Sequence, residues 1–260
     1  MAAKIGLVLS GGGVKAIAHV GFLKVLLENN IKPTHIAGTS AGAMVAAFYA
    51  KGYDLDTILT FFKTTPLLKL SMYTRAKPGF MDSEKFVSFF EKYFPEDDFK
   101  TLILPVTVAA TNLTSGQLDF FNSGQLIRPL IASCAIPPVF SPVEINNNLY
   151  CDGGILNNFP VEPLENHCDV ILGSFVNPVA PIQNSDITSS IKLLYRAYHI
   201  GMDFNDIEKF KNCDYVFAPS EVKTIGALDT KAIDKAFEMG YKFAKAQEAK
   251  ILKAINKTIK

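Results

Sequence analysis

The chain has 260 residues, of which 48% are hydrophobic and 20% charged, enough to bury a large core and suited to one sizeable domain spanning 1–260. A formal net charge of +1 excludes the broad positive field that non-specific phosphate binding requires, so no RNA or DNA partner is expected. The four cysteines, Cys134, Cys151, Cys168 and Cys213, form no C-x-x-C pair and have no histidines at zinc spacing; they read as reduced, buried thiols.

The N-terminal apolar run, Ile5 to Leu9, is too short for a signal peptide, and no apolar run is long enough to span a bilayer. A soluble, cytoplasmic protein is the expectation. Short β-branched runs alternate with segments of helical period, which predicts an α/β fold: a three-layer α/β/α sandwich around a mainly parallel sheet. In chain order, a strand is expected at Ile5–Leu9, a helix at Val14–Asn29, a strand at Thr34–Gly38, and a helix at Ala41–Lys51 closed by Gly52.

The segment from Ile58 to Tyr73 crowds apolar side chains close to lysines; a core-facing helix is the better reading and a lid over a lipid site the other. Further strands are expected at Ile103–Thr111, Leu118–Phe121, Val170–Val176 and Tyr215–Ala218. Helices are expected at Gln125–Ser133, Ile187–Lys211 and about 230–258. Val143–Ile145 and Leu149–Cys151 flank Asn146-Asn147-Asn148, predicting a hairpin with a three-residue turn. Lys242–Lys260 holds six Lys and one Glu, a solvated helix end or a basic face for anionic lipid.

Two glycine-rich turns carry the chemistry. Ser10-Gly11-Gly12-Gly13-Val14-Lys15-Ala16 leaves a strand and opens a helix, so unpaired backbone N–H groups gather at a positive helix terminus. Gly11-x-Gly13-x-x-Ala16 fits a dinucleotide fingerprint, but the acidic residue expected at the end of the second strand is missing from Ile36-Ala37-Gly38-Thr39. The other use of Gly11, Gly12 and Gly13 is an oxyanion hole, in which preorganised donors hold charge that develops on a carbonyl oxygen.

Gly38-Thr39-Ser40-Ala41-Gly42 matches G-x-S-x-G between a strand and a helix, where small neighbours let a tight turn expose the serine oxygen. Ser40 is the candidate nucleophile and needs a base. His19, His35, His167 and His199 are all poorly placed for that task. Asp152-Gly153-Gly154 follows the second hairpin strand, and its spacing alone leaves it either an acid partner or an ordinary Asp-Gly turn.

The combination of Gly11-Gly12-Gly13-Val14-Lys15, Gly38-Thr39-Ser40-Ala41-Gly42 and Asp152-Gly153-Gly154 resembles the patatin-like phospholipases. The likeness extends to Ala132-Ser133-Cys134-Ala135-Ile136-Pro137, to Asn157-Asn158-x-Pro160, and to Gly226-Ala227-Leu228-Asp229 with Gly240-Tyr241. It implies a catalytic dyad of Ser40 and Asp152, an oxyanion hole at Gly11 to Gly13, motif roles for Gly38, Gly42, Gly153 and Gly154, and no metal or cofactor. The implied substrates are phospholipids or lysophospholipids, met during transient contact with a membrane surface.

Two positions bear on the resemblance. Ala16 stands where the family usually has glycine, a change that narrows the approach to the oxyanion turn if the position needs positive φ and is neutral if the residue is helical. Lys15 stands where arginine is frequent, as a loop anchor, a lipid-phosphate contact or a solvated first-turn lysine. A nucleotide-binding oxidoreductase and a non-catalytic lipid-binding or regulatory protein with a vestigial site remain as alternatives.

Overall fold

A computed structural model describes residues 3–65, 72–74 and 77–258. Its centre is an eight-stranded sheet of β1 (Ile5–Leu9), β2 (His35–Thr39), β3 (Val106–Asn112), β4 (Gln117–Phe121), β5 (Val143–Ile145), β6 (Asn148–Asp152), β7 (Val170–Ser174) and β8 (Tyr215–Phe217). β1, β2, β3, β7 and β8 run parallel to one another, while β4, β5 and β6 are antiparallel additions at the β3 side. β1 and β7 are buried at every position, as continuous apolar strands must be when both sheet faces are covered.

The two faces are covered unequally. Leu7, Leu9, Ile36 and Leu172 point into a large core shared with helices α1 (Ile17–Glu28), α2 (Ala41–Lys51) and α3 (Leu55–Thr64). Val8, Ala37 and Ile171 face the opposite way, into a smaller cluster with Phe159, Val161, Leu164 and Phe175. The turns of residues 156–168 thus form most of the thinner layer. Four further helices are α4 (Val87–Glu91), α5 (Ile127–Ser133), α6 (Ser190–Ile207) and α7 (Ile233–Ala246), followed by α8 (Glu248–Thr258).

Three expectations are corrected. The hairpin turn has two residues: Ile145 pairs with Asn148, and Asn146 and Asn147 take φ of 49° and 60°. Asparagine tolerates that conformation, which matches the natural twist of a hairpin. The C-terminal helix is two helices, divided at Gln247 (φ −104°, ψ 6°). Helix α6 ends at Ile207, and a tighter 3-10 turn, Glu208–Asn212, completes the stretch read as helical to Lys211. In the 58–73 segment, Ile58, Leu59, Phe61 and Phe62 are buried on α3, as a core-facing helix requires, while 66–71 lie outside the described residues.

The sheet register brings distant segments together. Thr39, the last residue of β2, pairs with Ala109 of β3, and the next β3 residue, Ala110, pairs with Asp152 at the end of β6. Since β4 pairs along Val108 to Asn112 on the other edge, β2 and β6 share one edge of β3 and meet end to end. Ser40 and Asp152 therefore emerge at the same point.

Candidate active site

Ser40 is the hinge between β2 and α2, with φ 54° and ψ −131°. A non-glycine residue with positive φ in such a turn is strained, and the strain is characteristic of a strand-to-helix elbow that exposes a side chain. The flanking glycines allow the sharp turn. A Cβ on Gly38 would stand 2.8 Å from the backbone of Ala43, and one on Gly42 would collide with the carbonyl oxygens of Leu9 and Ser10. A serine hydroxyl clamps the elbow from below: the Ser40 N–H donates to Ser133 Oγ at 2.8 Å, and Ser133 Oγ donates to the Ala109 carbonyl at 2.6 Å.

The first glycine-rich turn lies alongside. Gly13 has φ 58°, and a Cβ there would collide with the Ala227 carbonyl, whose oxygen accepts the Val14 N–H at 2.8 Å. The Gly11 N–H donates to the Asn158 carbonyl at 3.2 Å, which corrects the expectation that all three glycines offer free donors. Among the described residues, the amides of Gly12 and Gly13 have no acceptor. Ala16 is helical (φ −62°, ψ −14°), so its methyl group sits without strain. Lys15 is buried and donates from Nζ to Asn177 Oδ1 at 3.0 Å, an anchor for the turn; desolvation lowers its pKa to about 8.

Asp152 is 2% exposed. Its Oδ1 accepts the Gly154 N–H at 2.7 Å, which fixes the carboxylate plane, while Oδ2 has no partner of hydrogen-bonding geometry. Burial pushes the Asp152 pKa up to about 7, and the nearby Ser40 hydroxyl and the Gly154 amide oppose that rise. The hydroxyl is thus close enough to act on the carboxylate, though short of a well-formed bond. Such a pKa suits a base working near neutral pH. Cys134 also adjoins Ser40; burial and the Asp152 charge keep its thiol protonated, against a weaker opposing bond from Ser40.

The histidines divide. His35 and His167 lie together with ring centroids 6.5 Å apart, and His35 opens β2, at the opposite end from Ser40. His19 is fully buried on α1, between Ser174 Oγ at 2.6 Å and the Ser10 carbonyl at 2.9 Å; burial lowers its pKa to about 4, so it is a neutral strut beneath the glycine turn. His199, set aside in the sequence as a helical residue, lies on the wall of the cavity that holds Ser40 and Asp152. Desolvation, then Lys15 and Arg196, lower its pKa to about 4. Among the described residues no group of three His, Cys, Asp or Glu could hold a metal ion.

Two unlike cavities meet at Ser40. One, of about 760 Å³ with its mouth included, is walled by apolar residues such as Met44, Phe61, Phe62, Phe86, Phe90 and Phe140. The other is small and polar, bounded by Gly12, Gly13, Asp152, Asn158, Asn177 and His199. An elbow serine with backbone donors on one side and a buried carboxylate on the other is the arrangement of an α/β protein equipped for acyl chemistry.

The sequence model of the patatin-like phospholipase family matches residues 7–165, and the chain belongs to this family. An uncharacterised NTE family protein of Mycobacterium tuberculosis is 32% identical over 164 residues, covering 62% of this chain and 45% of that protein. Lysophospholipase NTE1 of Coccidioides immitis is 27% identical over 276 residues, covering 93% of this chain and 17% of its own length. The chain thus spans less than half of either relative. Among solved structures, VipD from Legionella pneumophila shares the fold, with a TM-score of 0.55 at 16% identity, over 99% of this chain and 67% of that one.

Proposed function

We propose that the chain is a serine acyl hydrolase of the phospholipase A or lysophospholipase type, working through a Ser40–Asp152 dyad within one domain over 1–260. The observation that carries this reading is the junction at Ser40 of an apolar cavity with a small polar one. A fatty-acyl ester has the same two halves. Its chain fits the phenylalanine-lined cavity, and its ester oxygens face Asp152 and the free amides of Gly12 and Gly13. The lysophospholipase name of a relative supports a lipid substrate.

In the proposed reaction Asp152 Oδ2 takes the Ser40 proton as Oγ attacks the acyl carbonyl carbon. The amides of Gly12 and Gly13 hold the oxyanion, at the positive end of the helix that follows them. The leaving alkoxide takes the proton back from Asp152, and water then cleaves the acyl-enzyme. Ser133, Lys15 and His19 position the two turns. A pyrophosphate in the same place would face the Asp152 carboxylate, which weighs against the nucleotide reading.

The lipid surface has a candidate dock. Helix α6 contributes Tyr198 and His199 to the polar cavity wall, while Ile191, Leu193, Leu194 and Ile200 are each about half exposed. Exposed apolar groups in such number mark an interaction face, and Lys192 and Arg196 on the same helix suit anionic headgroups. No helix among the described residues is long and apolar enough to cross a membrane.

The test is labelling of the folded protein with a fluorophosphonate, followed by peptide mapping. The expected adduct is on Ser40 and is lost in Asp152→Asn at an unchanged or higher melting temperature. A folded wild-type protein that takes up no label at Ser40 overturns the proposal.

A further inference from the structure

Two polar atoms in the small cavity beside Ser40 are buried without a hydrogen-bond partner: Asp152 Oδ2 and Asn158 Nδ2. Asn158 is 2% exposed. Its backbone is held by the Gly11 N–H, and its Oδ1 lies against the Gly11 Cα, so tightly that a Cβ there would collide with it. The amide is therefore fixed by the turn it supports, and its NH2 group is what remains. A buried donor left unpaired is costly, and such a group persists in a well-built site where a ligand completes it.

The two orphans are complementary, one an acceptor and the other a donor. A single hydroxyl-bearing molecule satisfies both, with its oxygen accepting from Asn158 and its proton directed at Asp152. The cavity that these two groups share with Gly12, Gly13 and His199 has water-sized room for about one molecule. Resting on the proposed hydrolase reading, we infer that Asn158 Nδ2 and Asp152 Oδ2 form the seat of the water that hydrolyses the acyl-enzyme.

In that step one water proton passes to Asp152 Oδ2 while the water oxygen bonds to the acyl carbonyl carbon. The tetrahedral oxyanion then collapses, the bond from that carbon to Ser40 Oγ breaks, and Oγ recovers the proton from Asp152. A fatty acid and free Ser40 result. The leaving-group oxygen of the acylation step occupies the same place, so Asn158 also faces a natural alcohol as it departs. An activated nitrophenyl ester needs no such help, because nitrophenolate is a stable leaving group. That difference separates the water seat from a third oxyanion donor, which acts in both steps.

The experiment is stopped-flow hydrolysis of a p-nitrophenyl acyl ester by the full chain and by Asn158→Ala, with intact-mass detection of the acyl-enzyme. The expected result is a nitrophenolate burst within about threefold of wild type, steady-state turnover lower by tenfold or more, and accumulated acyl adduct on Ser40. A burst that slows in step with turnover, or turnover left unchanged, overturns the inference. Should Asn158→Ala lose its cooperative melt, Asn158→Ser, whose shorter donor stops short of the cavity, carries the same expectation. A wild-type chain that neither turns the ester over nor forms acyl-Ser40 defeats the hydrolase reading itself, which keeps the two failures distinct.

Discussion

Ser133 holds Ser40 in its strained turn: one hydroxyl accepts the Ser40 amide at 2.8 Å and donates to the Ala109 carbonyl of β3 at 2.6 Å. The hydroxyl links the elbow to the strand that also pairs with Asp152, so its loss loosens both at once. Ser133→Ala leaves a buried N–H and a buried carbonyl unpaired, for about 1–3 kcal/mol of stability. Denaturant unfolding reads that loss, and kcat/KM with a short nitrophenyl ester should fall by tenfold or more. Unchanged kcat/KM in the face of lost stability would remove Ser133 from the positioning of Ser40.

Activity should rise with pH through a transition near 7. Asp152 must be ionised to act as a base, and burial raises its pKa to about 7, so below that point kcat/KM should drop about tenfold per pH unit. A profile flat from pH 5 to 8 contradicts the assignment.

The same shift has a stability consequence. Because the folded pKa lies above the unfolded one, the protonated Asp152 favours the fold at low pH, and that advantage is lost as pH rises from about 4 to 7. Asp152→Asn does not titrate. Its melting temperature should therefore exceed that of wild type by a margin that grows over that window and stays level above it, while activity is abolished. An unchanged margin across pH 4 to 8 contradicts the raised pKa.

Much of this was legible in advance. β1 and α2 fall where apolar runs and the closing Gly52 put them, since a buried parallel strand and a glycine-ended helix are local signals. Ser40 stands on equally local grounds, a glycine-flanked serine between strand and helix. Asp152 did not: its meeting with Ser40 depends on β6 following β2 along one edge of β3, a long-range register. Ser133 and Asn158 sat inside segments recognised by resemblance, without a role, because a hydroxyl clamp and an orphaned amide are visible only in three dimensions. The occupied Gly11 amide was hidden for the same reason, and His199 reaches the cavity through the placement of α6, which helical period does not encode.

On the proposed chemistry, the apolar cavity should set acyl-chain length. Met44 is one turn along α2 from Ser40 and lines the cavity, so Met44→Trp should obstruct it. With nitrophenyl esters of increasing length, short acyl chains should keep their kcat/KM within about twofold, and chains of twelve or more carbons should lose about tenfold or more. An equal loss at all lengths would mean general damage and no acyl role for this cavity.

Helix α6 offers a test independent of catalysis. Leu193→Glu with Leu194→Glu places two charges on its exposed face, so co-sedimentation with phosphatidylglycerol vesicles should fall at least fivefold. Turnover of a water-soluble short-chain ester should stay within about twofold. Unaltered vesicle binding would exclude α6 as the docking helix.

The end-to-end meeting of β2 and β6 on β3 makes competence a late event. Ser40 and its glycine neighbours are local products of the first strands and helices, whereas Asp152 reaches them only after β3 is in place and the β5–β6 hairpin has closed upon it. On the proposed chemistry, a chain folded only through its first half holds a nucleophile with no base. On that chemistry, the register of one strand edge withholds the proton acceptor from an unfinished chain until the long-range contacts have formed.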